Sequence, residues 1–91
     1  MSSRAGQPRV DPPEVHAQLS KIVFMVTGTP VDDVSQDAAF VDDLRIDSLS
    51  MVEILEGAGR HFGVRIEDEA AKDFVHVRDL AGYISRRLGQ S

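Results

Sequence analysis

The side chains of this 91-residue chain that could build a hydrolytic or metal site include its serines, three histidines and fifteen acids; there is no cysteine. A serine becomes a nucleophile only beside a base, and a hydrolase needs a histidine oriented by an acid within hydrogen-bond reach. His16, His61 and His76 fall on three different stretches, none beside a glycine loop of the oxyanion type, so no catalytic residue is expected. A zinc site needs three or four ligands at closed spacing, and no two of these histidines stand at i, i+4. The stretch Asp32 to Asp43 lacks the glycine and terminal glutamate of a calcium loop. No metal of the chain's own is expected.

One serine has a setting the others lack. Ser48, in the run Asp42-Asp43-Leu44-Arg45-Ile46-Asp47-Ser48-Leu49-Ser50-Met51-Val52-Glu53, stands where a long aperiodic stretch gives way to a helical period. A phosphate ester there would lie at the positive end of a helix, where free N–H groups and the macrodipole favour an anion by about 0.3–1 kcal/mol. The same pair of residues also reads as an ordinary helix start, with Asp47 or Ser48 accepting first-turn N–H groups and no chemistry at all.

The elements that position Ser48 follow from periodicity. Residues 1–10 mix Ser, Gly, Gln, Pro and Arg and read as a flexible tail before a single domain over 11–91. Asp11-Pro12-Pro13-Glu14 is a helix start, with Asp11 as N-cap, and Val15, Leu19, Ile22, Val23 and Val26 form one stripe that Gly28 and Pro30 end. From Thr29 to Asp47 no period is sustained. Val34, Phe40, Val41, Leu44 and Ile46 are nonetheless apolar anchors for an ordered loop, of a length that is usually functional. Leu49, Val52, Leu55, Glu56, Gly59 and Phe62 give the second helix, stopped by Gly63; Gly57 and Gly59 weaken it, which calls for a closely packed neighbour or a soft end. One acidic-started turn is expected within Ile66 to Phe74, then a last stripe of Val77, Leu80, Ala81, Ile84 and Leu88 ending at Gly89. The fold class is all-α, a four-helix bundle of three main helices and one short one behind a long first loop.

Composition limits what such a bundle does. The chain is 42% hydrophobic and 27% charged, as in an ordinary globular domain. Without cysteine nothing points to an oxidising compartment, and no apolar run approaches the roughly 20 residues that span a bilayer, so a cytoplasmic monomer is expected. The net charge is −5, and from Asp32 to Glu56 eight acids face Arg45 alone, a local balance of −7. That region disfavours nucleic acid and suits a basic partner.

Phe40 to Ile54 closely resembles the Asp-Ser-Leu site of discrete acyl carrier proteins of type II fatty acid synthesis, in particular those that extend meromycolate-type chains. Val26-Thr27-Gly28, Phe62-Gly63-Val64, Ile66-Glu67-Asp68-Glu69 and Tyr83-Ile84 continue the likeness, which covers roughly Pro13 to Leu88. The resemblance implies that Ser48 accepts a 4'-phosphopantetheine arm from coenzyme A, transferred by a phosphopantetheinyl transferase with magnesium. Asp47 would help engage that synthase. Asp43, Leu49, Met51, Glu53 and Glu56 would meet fatty acid elongation enzymes through their basic docking patches. Phe40, Leu44, Ile46, Val52, Leu55, Phe62, Ile66, Phe74, Leu80 and Ile84 would line a pocket for the acyl chain, though the same residues serve to fold the bundle, and for Val52 core packing is the preferred reading. Arg45, Arg60 and Arg65, and the apolar pair Phe24 and Met25, depart from the family's pattern. At least one of that pair falls outside the first stripe, for a wider core or an extra partner contact. A carrier of polyketide intermediates, and an unmodified helical adaptor for a basic partner, are the alternatives. No Gly-Gly-x-Ser pattern of peptidyl carriers precedes Ser48.

Overall fold

The computed structural model describes residues 12–89, so the expected tail and the Asp11 cap lie outside the described residues. Helix α1 spans Pro12–Thr27, α2 Ser48–Phe62, α3 Asp68–Ala71 and α4 Val77–Gly89, and a short 3-10 turn, Val31–Asp33, interrupts the long loop. The all-α expectation holds: the one β-type pairing among the described residues is an isolated bridge between Ala39 and His76.

Helix α1 is the hub, packing on both α2 and α4. Its expected stripe points inward, with Val15, Leu19 and Val23 fully buried and Ile22 and Val26 packed against them. The α4 stripe does likewise through Val77, Leu80, Ala81 and Ile84. Two glycines end the first two helices in left-handed turns. Gly28 has φ 79° and donates to Phe24 O at 2.7 Å, and Gly63 has φ 68° with its N–H on Gly59 O.

The inward stripe of α2 differs from the expectation. Ile54 and Ala58 are buried and Met51, Leu55 and Phe62 lean on the core, whereas Leu49 and Val52 are 70% and 50% exposed. The core reading of Val52 is therefore wrong. A stripe at 51, 54, 55, 58 and 62 has the right spacing, but one of its two fully buried members is an alanine, Ala58, which carries less hydrophobic signal than the Leu49 and Val52 row beside it. The glycines of α2 mark close packing: a Cβ on Gly57 would meet Ile22 Cγ2 at 3.3 Å, and one on Gly59 would meet the Val64 carbonyl at 3.1 Å.

The long loop is anchored as expected by Val34, Phe40 and Ile46, all buried, with Leu44 half-buried. Val41 is instead 63% exposed, because the chain turns between Phe40 and Leu44 and only one side of that turn meets the core. Polar bonds complete the anchoring. His16 Nε2 donates to Val34 O at 2.6 Å, and the buried Ser20 hydroxyl donates to His16 O at 2.9 Å. Phe40 N donates to Val75 O, Val77 N to Ala38 O and Arg78 N to Gln36 O, joining the loop to the start of α4, and Arg78 adds an ion pair to Asp37.

Candidate functional site

The approach to Ser48 is built by one tight turn. Leu44 N and Asp43 N both donate to Ala39 O at 3.0 Å, Arg45 N donates to Val41 O at 3.1 Å, and Ile46 N to Phe40 O at 2.9 Å. The Asp43 carboxylate accepts from Ala39 N at 2.7 Å, so this expected partner contact also holds the turn closed. Arg45 closes it with φ 58°, the left-handed conformation that the other two such turns assign to glycine. Ile46 then plugs the core and the chain leaves it at Asp47 in an extended conformation, φ −84° and ψ 175°.

Of the two residues able to cap α2, Asp47 does so. Its Oδ1 accepts from Ser50 N at 2.8 Å and its carbonyl from Met51 N at 2.9 Å. The Ser50 N–H, then the Ser50 hydroxyl, hold the Asp47 carboxyl below the usual carboxylate range. Ser48 is left as the first helical residue, exposed, with a hydroxyl that the cap does not use. An oxygen so placed is accessible to a bulky donor, and the phosphate of an ester on it would meet the positive end of a 15-residue helix. The residues present thus fit a phosphate-linked arm.

Around this point the expected docking residues divide. Leu49, Glu53 and Glu56 are exposed on α2, while Met51 is half-buried against the core and so serves packing as well. Phe24 and Met25 are 50% and 80% exposed, which excludes a wider core.

The expected acyl pocket is also divided. Val52, Leu55 and Ile66 line an open cleft of about 580 Å³ between α2 and the segment through α3, together with Gly59, Val64 and Ala71, which were not among the expected pocket residues. Phe40, Ile46, Leu80 and Ile84 are instead buried in the core, and Leu44, Phe62 and Phe74 pack against it. Small residues at the ends of two elements were the available signal for the cleft, since each removes a side chain where an aliphatic neighbour is half exposed. The cleft's far wall is tethered by Tyr83, whose hydroxyl donates to Arg65 O at 3.1 Å and accepts from Glu67 N at 3.5 Å, while its ring meets Phe74 edge-on.

Comparisons with known proteins agree on one family. A family model described as a phosphopantetheine attachment site matches residues 17–84. The chain is 44% identical over 73 residues to the acyl carrier protein of Thermobifida fusca, covering 80% of this chain and 92% of that protein. It is 46% identical over 76 residues to that of Kineococcus radiotolerans, covering 84% and 94%, and 42% identical over 73 residues to the meromycolate extension acyl carrier protein of Mycolicibacterium aurum, covering 80% and 75%. The solved structure of the acyl carrier protein from Enterococcus faecalis superposes with a TM-score of 0.71 at 28% identity, covering 86% of this chain and 99% of that one.

Proposed function

This chain belongs to the acyl carrier proteins, and on that premise we propose that Ser48 is the residue that joins it to its arm. The chain is a carrier rather than a catalyst, with a covalently attached 4'-phosphopantetheine, and it holds acyl groups for fatty acid biosynthesis. The arm supplies a thiol on which the acyl group rides as a thioester. The observation that carries the Ser48 assignment is the division of labour at the start of α2, where Asp47 makes the cap and the exposed serine hydroxyl is left over.

In this reading the chain is the substrate of a phosphopantetheinyl transferase acting with magnesium. Ser48 Oγ forms the new bond to phosphorus, its proton passes to a base of the transferase, and adenosine 3',5'-bisphosphate leaves from coenzyme A. Asp47, ionised beside the serine, offers that enzyme a charged contact. Leu49, Glu53 and Glu56 offer an apolar and acidic surface to elongation enzymes with basic patches, and Asp43 adds charge at the approach turn. Val52, Leu55 and Ile66 shelter the first carbons of the acyl chain in the α2–α3 cleft. The carrier domain is taken as residues 11–91, a cytoplasmic monomer; no helix among the described residues is long and apolar enough to cross a membrane.

Incubation of the apo protein with coenzyme A, magnesium and a phosphopantetheinyl transferase, followed by intact mass, tests the assignment. One pantetheine increment is expected on the wild type and none on Ser48→Ala. An unmodified wild type, or a modified alanine variant, overturns it.

A further inference from the structure

The charged ridge of α2 that borders the α2–α3 cleft at Glu56 and Arg60 also borders a second groove, against α1. There Met25, the most exposed large apolar side chain of the described residues, borders a groove of about 600 Å³ whose walls include Ile22 on α1 and Glu53, Glu56 and Arg60 on α2. The three charged residues stand at i, i+3 and i+7, so they share one ridge about 10 Å long, two acids followed by a base. None of the three makes an ion pair among the described residues, so their charges are turned outward. His61 borders the groove beside Arg60.

From this arrangement we infer that the α1–α2 groove docks a segment of an acyl-processing enzyme whose own charges run in the opposite order. That segment presents Lys or Arg to Glu53 and Glu56, an apolar side chain to Met25 and Ile22, and Asp or Glu to Arg60. The identity of the occupant rests on charge complementarity: a uniformly basic patch is attracted at one end of the ridge and repelled at the other. Distance permits it, since Arg60 stands twelve residues beyond Ser48 along the helix, about 18 Å, within the footprint of an interface burying roughly 800 Å² per partner. The inference rests on the carrier reading for the kind of partner, and not on which serine is modified.

The test measures dissociation constants of the unloaded and loaded chain for each fatty acid elongation enzyme of its cell, with wild type, Met25→Gln and Arg60→Glu. For at least one enzyme both substitutions are expected to weaken binding about three- to tenfold, in either loading state. Arg60→Glu makes the ridge wholly acidic, so if it tightens binding to every enzyme, a plain basic patch is the occupant and the inference fails. It also fails if both variants bind every enzyme within twofold of wild type. Equally, a wild type that self-associates in sedimentation, with Met25→Gln abolishing the association, makes a second copy the occupant. The two readings separate because intact mass reports on Ser48 alone: loading with unchanged groove affinities sinks only this inference. Both substituted positions border the surface, and retained thermal midpoints confirm that the variants fold.

Discussion

Replacing Arg45 by glycine should stabilise the fold. Arg45 has φ 58° and is the single non-glycine residue of the described chain in the left-handed region, closing the turn from Val41 that delivers Asp47 and Ser48. An L-residue there carries a penalty of about 1–2 kcal/mol from the Cβ against the adjoining carbonyl. Glycine removes that strain, but its freer unfolded chain returns about 0.5–1 kcal/mol. The net gain is then about 0.5–1 kcal/mol, or a rise of roughly 3–6 °C in Tm for a domain of this size. A second term acts through charge, because Arg45 lies within a segment whose acids include Asp42, Asp43 and Asp47. Arg45→Ala loses the same charge while keeping the Cβ, so the difference between the two variants isolates the backbone effect. Thermal and urea unfolding followed by circular dichroism should place Arg45→Gly above Arg45→Ala by that margin. Equal midpoints for the two, or a lower one for glycine, would refute the strain argument.

Other expectations follow from single contacts. Asp47 and Asp79 both titrate below the usual carboxylate range; for Asp79 the His76 N–H is the main cause, opposed by desolvation and aided by Val75 N–H. Groups with depressed folded-state pKa values add stability above their unfolded pKa and lose it as pH falls through the folded one. Thermal midpoints should therefore hold from neutral to about pH 5 and fall below about pH 4, less so in Asp47→Asn, whose amide still caps the helix. Tyr83→Phe removes the hydroxyl that ties Arg65 and Glu67 to α4 and should cost about 1 kcal/mol in urea titrations, with faster hydrogen exchange at the Glu67 amide. Leu80→Ala empties a fully buried site and should cost about 2–5 kcal/mol, enough to leave much of a domain this small unfolded at 37 °C by circular dichroism.

Helices α1 and α4 were legible in the sequence because their stripes are aliphatic and their ends carry glycine, and the short acidic turn of α3 was legible from its charge. The face of α2 was not. A docking surface and a core face can carry the same residue types, and Leu49 and Val52 obey the helical spacing as well as Ile54 and Ala58 do. Only packing against α1 separates them. Val41 misled for a similar reason, since its side of the turn is decided by Phe40 and Leu44 reaching the core first. At the candidate site, the pairing of Asp47 with Ser48 was readable, but which of them caps the helix was not, because both residue types cap well. The left-handed Arg45 had no sequence signal, as arginine gives no local hint of positive φ.

The bridge between Ala39 and His76 has a consequence for the order in which this molecule comes into being. Its two backbone bonds, and the neighbouring one from Arg78 N to Gln36 O, join segments about 40 residues apart in the chain, so the approach to Ser48 is a loop closed by something synthesised after it. While the ribosome has produced only α1 and α2, the serine exists but its turn lacks the Val75 carbonyl and Val77 amide that pin it. Loop closure over such a separation is paid before its contacts return anything, which places this step late in folding. The turn before Ser48 is therefore pinned only once the start of α4 is in place.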